Sequence, residues 1–137
     1  DIAYALSNMY RFGGHLPVQY TVAQHCVMCS RFTKGDKYEA LMHDATEAYL
    51  LDIPSPIKKH LPDYRKIEHN LATVLAKKFR FGHPFSVQTK DVDVMMLKWE
   101  WYDFMLGEAA PAFTEVWSSA RANVEFLQMF NELTPLK

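Results

Sequence analysis

A chain of 137 residues is the size of one domain, and its 49% hydrophobic share, with nine Phe, seven Tyr and three Trp, is enough to fill a core. Fifteen basic against sixteen acidic residues give a net charge of −1. This excludes the electrostatic footprint of a duplex nucleic-acid binder and the polybasic anchor of a membrane-surface protein. No apolar run approaches the length needed to cross a bilayer.

In chain order the pattern is helical throughout, and no stretch shows the period-2 alternation of a half-buried strand. A first short helix ends near Tyr10, where Arg11-Phe12-Gly13-Gly14 breaks it. A second helix covers about 18–32. A third starts at Asp36, with Glu39 three residues on in a capping-box arrangement, and ends near Leu51. Asp52-Ile53-Pro54-Ser55-Pro56 reads as a turn, because each proline disfavours helix at the residue before it. A fourth helix follows Pro62, with Asp63 as its cap and Ile67, Leu71, Val74, Leu75 and Phe79 as its apolar stripe. A fifth runs from Ser86 or Thr89 to Leu106, closed by Gly107. A sixth follows Pro111 and reaches about Leu133. The expected fold is therefore all-α, a compact bundle of about six helices forming one domain over residues 1–137, with no internal repeat or linker.

Cys26 and Cys29 have the spacing of a redox pair or half a zinc site, but no second cysteine pair exists. The reading favoured is two small buried thiols. With no signal peptide in view, it places the chain in a reducing cytoplasm.

The chemistry-bearing residues are ordered along the chain. His25 lies 18 residues before the adjacent pair His43–Asp44, and Asp93 lies 50 residues after the histidine of that pair. On a continuous helix His43 and Glu47 share a face, and Asp44 is rotated about 100° away. Two imidazoles and two carboxylates from three helices can hold one divalent cation. Asp91 competes with Asp93 for the fourth position. A carboxylate beside such a cation can serve as general base, and Glu47 is the first candidate, with Asp52 second. His15, His60, His69 and His83 show no partner pattern and read as loop or surface groups. The stripe Met95, Met96, Trp99 and Tyr102 reads as core or subunit interface, and Trp101 and Trp117 as aromatics at an interface.

The order His25, His43-Asp44, Asp93 resembles the motif of the HD-domain metal-dependent phosphohydrolases. The segment from His43 through Glu47, Asp52 and Pro54-Ser55-Pro56 to Lys58 is similar to a branch holding bacterial 5'-deoxynucleotidases and phage dATP triphosphohydrolases. The resemblance spans about residues 10–99, and within it the spacing from Lys90 favours Asp93 as the fourth ligand. It implies one divalent transition metal (Zn, Co, Mn, Fe or Ni) on His25, His43, Asp44 and Asp93, with Glu47 and Asp52 in catalysis. It further implies that Arg11 binds phosphate and that Phe12 lies near the base. Lys58, just past the Pro-x-Pro turn, is placed to assist in phosphate binding, with Lys59 beside it as an equally basic alternative. The expected substrate is a (deoxy)nucleotide hydrolysed at its 5'-phosphoester. It is either a deoxynucleoside triphosphate such as dATP, releasing triphosphate, or a deoxynucleoside monophosphate. A homo-oligomer in the cytoplasm of a bacterium or of a phage-infected host is expected, with no nucleic-acid or membrane partner. The alternative is a non-catalytic metal- or nucleotide-binding module, although a degenerate member would be expected to lose a ligand or Glu47.

Overall fold

Helix α2, Val22–Phe32, is the centre of the molecule, and nine consecutive residues, Val22 through Ser30, are buried. A helix buried on all sides needs partners on all sides, for its apolar residues and for Gln24, His25 and Ser30 alike. Those partners are α1 (Ile2–Ser7), α3 (Lys37–Met42), α7 (Val87–Glu100) and α8 (Ser119–Leu133). The computed structural model describes residues 1–107 and 115–136, and it is all-α, with no strand among the described residues. Pro111, expected to precede the last helix, lies outside the described residues, and that helix is capped instead by Ser118, whose side chain accepts from the Arg121 N–H.

The second helix starts at Val22, later than the sequence suggests. Thr21 is extended and caps it, accepting from the Gln24 N–H at 3.1 Å. The residues before it pair backwards: the Arg11 N–H donates to the Tyr20 carbonyl at 2.8 Å and the Val22 N–H to the Met9 carbonyl at 2.9 Å. This antiparallel bridge carries Arg11 to the N-terminal end of α2.

The expected third helix is interrupted. The α-helical ladder of α3 stops at Met42, and residues 43–46 form a tightened turn in which the Ala45 and Glu47 N–H groups donate to the carbonyls three residues back, each at 3.0 Å. Helix α4, Glu47–Leu50, resumes and ends where Leu51 adopts φ +70°. His43 and Asp44 therefore sit on a bend between helices. The Pro-x-Pro segment is a turn of helix, α5, Ser55–Lys58.

Helix α6, Pro62–Phe79, begins with Pro62 at its first position and has no side-chain cap, so Asp63 is inside the helix. Its buried positions are Ala72, Leu75 and Ala76; Ile67 and Val74 are exposed. The expected stripe is thus rotated, because α6 packs mainly on α5 and leaves much of its surface to solvent. Helix α7 continues into a π-turn, Trp101–Met105, and terminates at Gly107, φ +69°. Met96 is core and Met95 and Trp99 are half-buried, while Trp101 and Tyr102 are exposed. Trp117 is buried, contrary to the interface reading: its backbone N–H donates to Gln24 Oε1 at 2.9 Å, and the guanidinium groups of Arg31 and Arg121 lie 5.1 and 5.0 Å from its ring centroid.

Asp36 caps α3 as expected, accepting from the Tyr38 and Glu39 N–H groups. Glu39 does not close a capping box. It is buried and reaches across to the start of α7, where its Oε1 accepts from the Ser86 N–H (2.7 Å), Ser86 Oγ (2.7 Å) and Thr89 Oγ1 (2.6 Å). Gly82 lies against the same carboxylate; a Cβ there would fall 2.2 Å from Glu39 Oε2.

Candidate metal centre

The bend at 43–46, the second turn of α2 and the second turn of α7 meet at one point. His25 Nε2 lies 3.0 Å from Asp93 Oδ1 and 3.6 Å from Asp44 Oδ2. His43 Nε2 lies 3.2 Å from Asp44 Oδ2 and 3.5 Å from Asp93 Oδ1, and the two rings are 5.3 Å apart. All four expected ligands are therefore brought together. Asp93 faces the cluster, and Asp91, two residues away, is exposed.

The outer nitrogens fix which ring atoms are available. His43 Nδ1 donates to the Ala40 carbonyl at 2.7 Å, which leaves Nε2 turned toward the carboxylates. Although near Asp44, that Nε2 is buried without an aligned hydrogen bond. Nδ1 of His25 is held by Glu100 Oε1, so its Nε2 also faces inward. Burial pulls the His43 imidazole toward neutrality, and the adjacent Asp44 carboxylate more than reverses this and holds its pKa above the ordinary value. Burial raises Asp93, but the hydrogen bond to His25 and the nearby His43 imidazole hold it well below the usual carboxylate range. The field that retains protons here also attracts a divalent cation that would displace them. An orphaned buried imidazole nitrogen, a second imidazole held by its far side and two converging carboxylates fit a metal ion.

The thiols are both buried and unpaired, as the sequence suggests. They are nonetheless nearer the chemistry than expected: Cys29 Sγ is 3.5 Å from His25 Nε2, and the group His25, Cys29, His43 and Asp93 offers ligand atoms all within 4.8 Å of one another.

Glu100 was not singled out in the sequence. It is fully buried, with Oε1 on His25 and Oε2 accepting from Arg11 Nε at 2.6 Å. The signal was its place seven residues after Asp93, two turns along the same face of α7. Arg11 is correspondingly no loosely presented surface arginine. It is buried, its NH1 lies 4.0 Å from Asp44 Oδ2, and its terminal nitrogens remain on the side of the metal cluster. Phe12 follows with φ +57°, an unusual backbone for a bulky residue, and its ring lies 5.9 Å from Trp101 and 5.5 Å from the Arg11 guanidinium carbon.

Two clefts open on the cluster and share Asp44, Glu47, Lys58 and Asp93. The smaller, about 280 Å³, has Arg11, Phe12, Asp52, Ile53, Pro54 and Leu97 in its walls. The larger, about 420 Å³, is lined by Arg65, His69, His83, Phe85 and Lys90 among others. Glu47 is buried between them, and its Oε2 has no hydrogen-bond partner. Burial, then the charges of Asp44 and Asp52, push its pKa up to about 9. Burial likewise raises Asp52. Lys58 faces both clefts and pairs with Glu68 at 2.9 Å; Lys59 lines neither. His69 and His83 do have a partner pattern after all: their rings lie 5.1 Å apart on the larger cleft.

No helix among the described residues is long and apolar enough to cross a membrane. No family model matches the chain. The protein described as "Uncharacterized protein YfdR" of Escherichia coli (strain K12) is 39% identical over 150 aligned positions, which cover 100% of this chain and 84% of that protein. At that identity and coverage, the chain belongs to the YfdR family.

Proposed function

We propose that this protein is a metal-dependent phosphohydrolase of the HD-domain type, acting on the 5'-phosphoester of a (deoxy)nucleotide. The observation that carries the reading is the convergence of His25 Nε2, His43 Nε2, Asp44 and Asp93 at the junction of two clefts, with Arg11 and Glu47 at the same junction. The donor set suits Zn, Co, Mn, Fe or Ni rather than calcium. When bound, such an ion supplies Lewis acidity at the phosphoryl group and lowers the pKa of a neighbouring water.

The chain's own residues account for the rest. Arg11, its Nε committed to Glu100, offers its terminal N–H groups to two phosphate oxygens. Glu47, in its ionised form, takes the proton from the attacking water at Oε2 as the oxygen–phosphorus bond forms. The phosphorus–O5' bond breaks and O5' takes that proton from Glu47, so the nucleoside leaves as its free alcohol and the carboxylate is restored. Asp52, at the other side of the smaller cleft, is the second carboxylate available to that proton. Phe12 and the Ile53-Pro54 wall give the nucleoside an apolar surface.

The test is release of phosphate, pyrophosphate or triphosphate from a panel of nucleotides in each of these divalent ions. Turnover that is lost in Asp44→Ala and in chelator is the expected result. A metal-loaded protein that binds nucleotide and turns over none of the panel would instead make it a binding module.

A further inference from the structure

Resting on that hydrolase reading, we infer that the larger cleft is a polyphosphate-binding arm. Arg65, His69, His83 and Lys90 take the distal phosphates of a nucleoside triphosphate whose 5'-ester phosphorus lies at the metal cluster. The first support is the division of labour between the clefts. The smaller one has the apolar wall that suits a nucleoside, and the larger one adds Arg65, His69, His83 and Lys90 beside a Glu68 carboxylate that is paired with Lys58. They meet at Asp44, Glu47, Lys58 and Asp93, so a ligand spanning both places its reacting phosphorus at the junction.

The second support is that these cations are unspent. Lys58 is paired with Glu68, but Arg65 and Lys90 are exposed and make no ion pair among the described residues. The third is the imidazole pair. A run of ring contacts leads from His43 to Phe85 (6.4 Å), from Phe85 to His83 (5.4 Å) and from His83 to His69 (5.1 Å), away from the ligands along the cleft. Partial burial and then the neighbouring His69 lower the pKa of His83, and an anion bound beside that ring would favour its charged form. A second cation fits less well: His69 and His83 have no third His, Cys, Asp or Glu donor within reach among the described residues, and Arg65 and Lys90 line the same cleft. A monophosphate would fill the junction and leave Arg65 and Lys90 without an anionic partner.

The test uses the Mn-loaded protein and inorganic triphosphate, with deoxynucleoside tri- and monophosphates in parallel. Wild type should bind inorganic triphosphate by calorimetry at least about 10-fold more tightly than orthophosphate, with one metal per chain. The double variant Arg65→Ala/Lys90→Ala removes two charge-assisted contacts. It should weaken inorganic triphosphate by about 10-fold or more and lower the ratio of kcat/KM for triphosphate over monophosphate by a similar factor. His83→Asn should move the same ratio in the same direction. An unchanged ratio, equal affinity for the two inorganic anions, or a second metal bound through His69 and His83 would overturn the arm. Monophosphate turnover without triphosphate binding would sink the arm and leave the hydrolase. Triphosphate binding that depends on Arg65, with no turnover of any nucleotide, would do the reverse.

Discussion

Replacing Glu100 by Gln keeps the shape of a fully buried side chain and removes one charge. The native carboxylate accepts on both sides, from Arg11 Nε at 2.6 Å and from His25 Nδ1. An amide cannot do this, because one of its two heads is a donor. If the NH2 group faces Arg11, two donors meet beside a cation. If it faces His25, the imidazole must shed its Nδ1 proton and carry it on Nε2, the atom that the metal cluster needs free. Changes at such outer hydrogen bonds cost about 10–100-fold in metal affinity, equivalent to about 1.4–2.7 kcal/mol. The assay is metal titration by competition with a chelating indicator, with circular dichroism as the control for fold. An affinity within about 3-fold of wild type, with the fold intact, would refute the idea that Glu100 sets the tautomer of His25. Glu100→Ala is the less informative change, since leaving Arg11 buried without its partner costs about 3–5 kcal/mol on its own.

Glu47→Ala should preserve metal binding and lower turnover by about 10²-fold or more; a rate within about 3-fold would make Glu47 structural. The pKa of Glu47 is raised to about 9, so its ionisation opposes folding, and this cost grows as pH rises from about 4.5 toward 9. Glu47→Gln should therefore raise the melting temperature of chelator-treated protein at pH 8 and leave it little changed at pH 4, and a scan showing no difference between the two pH values would contradict the assignment. Arg11→Ala should raise KM and also lower kcat, since a phosphate contact acts in ground and transition states; unchanged values of both would remove it from the site. Gly82→Ala forces a Cβ onto the Glu39 carboxylate, 2.2 Å from Oε2, and should cost about 1–3 kcal/mol, read as a lower denaturation midpoint. The exposed Val94, Leu97, Trp101 and Tyr102 along α7 and its π-turn favour a homo-oligomer, which light scattering at micromolar concentration should detect; a monomer mass would count against it.

The helical class was legible because apolar spacing and proline punctuation agree along the chain. The meeting of His25, His43, Asp44 and Asp93 was legible because residue type and sequence order point to it without coordinates. The interruption at 43–46 was not legible, since His43-Asp44-Ala45-Thr46 contains no glycine or proline and its tightening is imposed by packing. Glu100 was hidden for a related reason: it sits between Trp99 and Trp101, within a stretch read as an apolar stripe, and only the fold shows that its face of α7 is the one carrying Asp93. The His69–His83 pair joins residues 14 apart across the end of α6, and no local periodicity encodes such a meeting. The α6 stripe was misjudged because its apolar residues were assigned to a core that contacts only part of that helix.

The three hydrogen bonds that Glu39 accepts from Ser86 and Thr89 tie the helix leading into His43 to the helix that carries Asp93. That tie lies outside the ligand cluster and does not depend on what the cluster holds. The spacing between the two ligand-bearing segments is thus set by the chain, in contrast to small zinc modules in which the ion is the only thing holding the ligands together. Exchange of an ion held there would leave this tie between the two helices in place. Which ion such a cluster holds would then be a matter of supply and exchange, decided after folding is complete.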